Sequence, residues 1–187
     1  MNQKGISKIV IVGIIVAILA VSAIAAYWAT SGGADDSGNN NGGTIDNGSE
    51  DDGGTTVDVA GASSLQYKVS VNPADAESVE YTYMIKNAET SDMMMRIEME
   101  SSGESFIYII NGVQQKVWVC SGDQWMDFSD VYSTYWDTWN SAWEGYRTNL
   151  LDWTGVGDWT YTTPNGDSVR IYDIDINPSL ADSLFQH

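Results

Sequence analysis

Residues 93–125 read MMMRIEMESSGESFIYIINGVQQKVWVCSGDQW, and this stretch decides the fold. Met93, Met95, Ile97 and Met99 alternate with Met94, Arg96, Glu98 and Glu100, the period of two that gives a strand one apolar face. After a break at Ser102-Gly103, Phe106, Tyr108 and Ile110 share a face. Asn111-Gly112 predicts a tight hairpin turn into Gln114–Cys120, because both residues tolerate positive φ. Ser121-Gly122 predicts another, into Gln124–Phe128. Strands joined by turns this short must run antiparallel.

The pattern extends in both directions. Upstream, Leu65, Tyr67, Val69 and Val71 alternate with polar residues before Asn72-Pro73, and Val79, Tyr81, Tyr83 and Ile85 alternate with Glu80, Thr82, Met84 and Lys86. Downstream, Trp159–Thr163 and Ser168–Ile176 flank Pro164-Asn165-Gly166, a further hairpin signal. The expectation is an α+β, mainly β domain: a curved antiparallel sheet of about eight strands, covered on one side only. Between the strands lies one helical segment, 130–153. Tyr132, Trp136, Trp139, Trp143, Tyr146, Leu150 and Trp153 advance by steps of four and three, which is one face of a helix. Ser129 or Asp130 is suited to cap its start and Gly155 to stop it. Four tryptophans and two tyrosines suit a face laid over a sheet better than a coiled-coil seam. They form either a core helix or a lid over an apolar cavity, in which Met93, Met95 and Met99 would supply adaptable packing.

Ahead of this domain, expected at 61–187, stand two other zones. Residues 1–30 hold Lys4 and Lys8, then an unbroken apolar run from Ile9 to Ala26 closed by Tyr27 and Trp28. That run has the length of a transmembrane helix, and positive charge before it places the N-terminus in the cytoplasm. Ala23-Ile24-Ala25 offers the competing reading of a cleaved signal peptide. On either reading the rest of the chain is extracytoplasmic. MNQKGIS resembles the leader of prokaryotic pilin-like signal sequences, but Val10 stands where pilins usually carry glutamate. Residues 31–60 are Gly, Asp, Asn, Ser and Thr with almost nothing apolar, the composition of a disordered acidic tether. Asn47-Gly48-Ser49 within it is a glycosylation sequon.

The charge balance excludes several function classes. The chain has 26 acidic and 8 basic residues and a net charge of −18, which argues against nucleic acid as a partner. One cysteine and one histidine leave no disulfide framework, no triad and no multi-histidine metal site, so no cofactor or metal is expected. Cys120 reads as a buried structural thiol. Asp173 with Asp175, and Asp123 with Asp127, read as members of an acidic, solubilising coat rather than as an acid–base pair. No enzyme activity is expected, and self-repulsion predicts a monomer outside the membrane.

Arg96-Ile97-Glu98-Met99-Glu100, Tyr108-Ile109-Ile110-Asn111-Gly112, Val117-Trp118-Val119, Gly122 and Gln124-Trp125 occur in that order, followed by the ending Asn177-Pro178-Ser179-Leu180-Ala181-Asp182-Ser183-Leu184-Phe185. In these motifs the region 65–187 resembles the LolA/LppX-like lipoprotein-carrier superfamily. The resemblance implies an open half-barrel wrapped around helices, with an apolar cavity between them, in proteins that bind or sense acyl chains, lipids or lipoproteins. The usual helix before the first strand is replaced here by the polar tether, which together with the anchor favours a stationary binder or sensor over a diffusing shuttle. The acidic composition, leader and tether together look archaeal. The expected function is therefore a membrane-anchored domain binding a lipid or other apolar ligand, with a solid-cored surface interaction module as the alternative. Expected cavity residues are Trp136, Trp139, Trp143, Tyr146, Met93, Met95, Met99, Tyr81, Tyr83 and Trp118.

Overall fold

A computed structural model describes residues 58–73, 77–101, 103–163 and 166–187. The expected membrane anchor, nearly all of the tether and Asn47 lie outside the described residues. Among the described residues, no helix is long and apolar enough to cross a membrane.

Eight strands form one open antiparallel sheet. They are β1 (Ser64–Asn72), β2 (Val79–Lys86), β3 (Met94–Ser101), β4 (Glu104–Asn111), β5 (Lys116–Ser121), β6 (Gln124–Asp127), β7 (Trp159–Thr162) and β8 (Ser168–Ile176). The spatial order is β6-β5-β4-β3-β2-β1-β8-β7, so a six-strand meander is extended past β1 by the last hairpin. One helix, α1 (Tyr132–Leu150), connects the two edge strands. Its role in the topology follows from lengths. Crossing from β6 to β7 spans seven strand spacings, about 34 Å at ~4.8 Å each. The nineteen residues of α1 supply about 28 Å of that at 1.5 Å per residue. The connection therefore crosses the whole face of the sheet, and its apolar side must meet that face.

The start of α1 differs from expectation. Neither Ser129 nor Asp130 caps it with a side chain; a 3-10 turn, Ser129–Val131, leads into the helix instead. Asp127 Oδ1 accepts the Ser129 N–H at 2.8 Å, and Ser129 Oγ accepts the Val117 N–H at 3.2 Å. Ser129 is thus occupied in pinning the turn to the start of β5. The helix also ends earlier than Gly155, with the chain leaving it at Leu151.

The Asn111-Gly112 turn is a correction. Asn111 pairs with Lys116, leaving a four-residue loop in which Gln115, not Gly112, takes positive φ (52°). Gly112 is needed for space. A Cβ there would sit 2.4 Å from the Met93 carbonyl oxygen and 3.2 Å from the Trp136 ring. Its N–H donates to that same carbonyl at 3.0 Å. The Ser121-Gly122 turn behaves as expected, a two-residue loop with Gly122 at φ 59°.

Cover on one side only is a second correction. The helix side of the sheet carries the main core, from Leu65, Tyr67 and Val69 to Val169 and Ile171. On the other side, Met94 and Ile109 are buried with Leu180 and Phe185, and Met84, Ile107, Trp118, Trp125 and Leu184 pack against them. The strands β3–β6 carry apolar residues in both phases of their alternation, and the C-terminal tail straps over the outer ones. Asn177 Oδ1 accepts from the Ser63 backbone N–H at 2.7 Å, Lys86 donates to the Leu180 carbonyl at 2.8 Å and to the Asp182 carboxylate, and Arg96 donates to the Leu184 carbonyl at 3.3 Å. The folded unit also begins before residue 61, since Val59 is 3% exposed and belongs to the main core.

In β8 the alternation changes phase. Leu65 pairs with Ile176 but Val69 with Ile171, a one-residue bulge that leaves Asp173 at φ 52°. Before it Val169 and Ile171 face the core; after it Ile174 and Ile176 do.

Candidate functional site

The site is the layer between α1 and the inner face of β1–β5. By the period of two, Tyr67 of β1, Tyr81 and Tyr83 of β2, Met95 and Met99 of β3 and Tyr108 of β4 all face the helix. From above, α1 presents Tyr135, Trp139, Ala142, Trp143, Tyr146 and Leu150, all buried. The helix backbone comes closest to the sheet at β4 and β5. Across β1 and β2 the rings themselves bridge the distance.

These rings form a continuous stack. Tyr67 lies parallel to Tyr83 with centroids 5.3 Å apart and to Trp143 at 6.3 Å. Tyr146 meets Tyr83 edge-on at 5.4 Å and Tyr67 at 6.4 Å. Trp139 touches Tyr108 at 4.9 Å, Tyr83 at 6.2 Å and Tyr81 at 6.3 Å. Such contacts add roughly 0.5–1.5 kcal/mol per pair beyond burial. Trp139 is 2% exposed and Trp143 fully buried.

Six polar atoms of these rings are not matched by a protein partner. The hydroxyls of Tyr67, Tyr81, Tyr83, Tyr108 and Tyr146 and the indole N–H of Trp143 are buried with no hydrogen-bond partner. Each such group costs about 1–3 kcal/mol when left unpaired. Burial holds all five tyrosine pKa values above the ordinary value, with neighbouring hydroxyls raising Tyr67, Tyr83, Tyr108 and Tyr146 further. Tyr67 also feels the carboxylate of Glu144. Glu144 is itself raised by partial burial and by Glu89, against the opposing pull of Arg147.

The rim is polar. Arg147 donates to the Ala60 carbonyl at 3.2 Å and pairs with Glu89 at 3.3 Å, tying the C-terminal half of α1 to the segments beside β1 and β2. On the outer face of the sheet, Tyr172 donates to Glu80 at 3.0 Å and Lys68 pairs with Asp173 at 2.9 Å. Two acidic clefts of about 410 and 160 Å³ open there, lined in part by Glu80, Glu98, Glu100 and Glu104. No group of three or more His, Cys, Asp or Glu among the described residues could hold a metal.

Of the expected cavity residues, Trp139, Trp143, Tyr146, Tyr81, Tyr83, Met93, Met95 and Met99 come together in the main core, and Trp136 packs half-buried at its edge. Trp118 does not join them. Val117 and Val119 take the helix side of β5, so Trp118 must point to the opposite face, where it meets the C-terminal strap. Sequence reasoning missed Tyr67, Tyr108 and Tyr135 as members. For the first two the signal was present in their strand phase. Tyr135 was hidden because Tyr132 continues the same helical stripe; in the fold Tyr132 is half-exposed and Tyr135 takes the inner position. Neither a scan against protein-family models nor searches of curated proteins and of solved structures finds a match to this chain.

Proposed function

We propose that the chain is a single-pass, membrane-anchored protein with its N-terminus in the cytoplasm. Its extracytoplasmic domain, of LolA/LppX-like half-barrel type, binds a lipid or other apolar ligand between the sheet and α1. The observation that carries this reading is the set of six buried, unpartnered polar groups in an otherwise aromatic layer. A layer meant only to be solid core is more stable with phenylalanine at those tyrosine positions, because each unmatched hydroxyl is a cost without return. A ligand carrying oxygen atoms gives those groups a purpose. In the form described here the rings of α1 close onto those of the sheet, and Arg147 holds the helix at its rim; ligand entry requires α1 to lift. The reading includes no catalytic step, no cofactor and no nucleic acid.

Native mass spectrometry of the full-length chain released from membranes tests it. The expected result is a bound small molecule lost on collisional activation, and its loss in a variant such as Trp143→Ala. A second reading, a solid-cored surface interaction module, draws on the close packing of Trp139 and Trp143. It predicts a protein free of small molecules that also takes up no added apolar probe, and that result would replace the first reading.

A further inference from the structure

We infer that the ligand held between the sheet and α1 is an uncharged apolar molecule bearing acceptor oxygens, of the ester, ether or ketone class, and not a fatty-acid anion or a phosphate-headed lipid. The inference rests on the proposed function and names its ligand class.

Two independent observations lead there. The first is the donor set. The indole N–H of Trp143 can only donate, and the buried, unpartnered hydroxyls of Tyr67, Tyr83 and Tyr146 each have a hydrogen to give, so a ligand among these rings meets donors in want of acceptors. A purely hydrocarbon ligand leaves all of them unmatched. A quaternary ammonium, which an aromatic layer in an acidic protein also attracts, offers no acceptor to Trp143.

The second observation is where the cations are. Beyond Lys4 and Lys8 the chain has six basic residues, each engaged with a carboxylate. Five stand away from the ring layer: Lys68 with Asp173, Lys86 with Asp182, Arg96 with Glu98, Lys116 with Asp127 and Arg170 with Asp158. The sixth, Arg147, stands at the rim and is already shared between Glu89 at 3.3 Å and Glu144 at 4.0 Å. The charged side chain whose field reaches Tyr67 is an acid, Glu144. An anionic head placed among these rings meets a rim whose one cation already faces two carboxylates, and burying an unpaired charge is far costlier than burying a neutral carbonyl. Neutral tyrosines are ready-made donors for such a carbonyl, since their burial keeps the proton on oxygen.

The test uses the full-length chain in phosphatidylcholine nanodiscs, with empty nanodiscs as the blank. Four probes of similar length are titrated against intrinsic tryptophan emission: methyl decanoate, decanoate, decyltrimethylammonium and undecane. Methyl decanoate is expected to bind at least tenfold more tightly than any of the others. Tyr83→Phe and Tyr146→Phe should each weaken methyl decanoate roughly two- to tenfold while leaving undecane unchanged and the melting temperature equal or higher. A merely structural hydroxyl does not move the first quantity without the second. Decanoate or decyltrimethylammonium binding as tightly as the ester overturns the ligand class and leaves an apolar-ligand site standing. Equal binding of undecane, with both Phe variants silent, overturns the role of the hydroxyls. No response to any probe removes the proposed function together with this inference.

Discussion

The side-chain amide of Asn111, at the end of β4, donates to the carbonyl of Phe185 at 3.1 Å, across 74 residues of chain. The same side chain accepts the Gln114 N–H at 3.0 Å through Oδ1. Asn111 is 2% exposed, so a single residue fixes both the β4–β5 loop and the end of the C-terminal strap. Asn111→Ala should cost about 1–3 kcal/mol, read as a lowered urea midpoint with an unchanged slope. It should also raise binding of a hydrophobic dye, because Met94, Ile109 and Trp118 lose their cover. A midpoint within error of the parent would show that the strap is held by its apolar side chains alone.

Gly112→Ala should destabilise through crowding rather than through backbone strain. The added methyl meets the Met93 carbonyl, a backbone atom with little room to yield. An expected loss of roughly 1–3 kcal/mol follows from overpacking. Chemical denaturation compared with Gly103→Ala separates the two causes. Gly103 stands at φ 78° with open space around it, so there the cost is conformational only.

Trp143→Ala removes a fully buried ring stacked on Tyr67, and Trp139→Ala one that touches three tyrosines. Each should cost roughly 3–5 kcal/mol in the ligand-free protein. A saturating apolar ligand should stabilise the parent more than it stabilises either variant. Thermal melts with and without methyl decanoate measure both quantities. A cost below about 1 kcal/mol at both positions would mean that α1 does not sit closed in solution.

The tyrosines predict an alkaline limit. In the unfolded chain tyrosine loses its proton near pH 10, whereas Tyr67, Tyr81, Tyr83, Tyr108 and Tyr146 hold theirs in the fold to higher pH. Above pH 10 the unfolded state therefore releases protons that the folded state keeps. Stability is intact below that value and falls as pH rises beyond it. Absorbance at 295 nm should climb in two stages. The half-exposed Tyr132 and Tyr172 titrate first, and these five ionise together with the loss of near-ultraviolet circular dichroism. A single smooth titration preceding any unfolding would contradict the burial of the hydroxyls.

The strands were legible in the sequence because the period of two is enforced by burial on the helix side, where a one-residue slip would expose Leu65, Tyr67 and Val69 together. The inner rings of α1 were legible for the same reason with a different period. Other features were not. The strap depends on Asn177 meeting Ser63 across 114 residues and on Asn111 meeting Phe185 across 74, and no local pattern encodes such meetings. Trp118 was misplaced because an apolar strand with hydrophobic residues in both phases does not declare which face a given ring takes. The bulge at Asp173 inverts alternation within one strand, and Asp is among the few residues that tolerate its backbone geometry. The unpartnered hydroxyls could not be foreseen at all, because a tyrosine's composition does not reveal whether its oxygen finds a partner.

Because β8 pairs along the far side of β1, the first strand among the described residues is completed by the last. The six-strand meander β1–β6 is built from neighbours in sequence and can assemble early. Until β8 arrives, however, β1 presents an open row of amides and carbonyls, the kind of edge that recruits other chains. Both finished edges are four-residue strands, β6 and β7, too short to template much. The molecule thus has its greatest exposure to mispairing while it is being made and its least once the final hairpin has docked. Chains cut short before Ser168 should aggregate even with the whole meander and α1 intact.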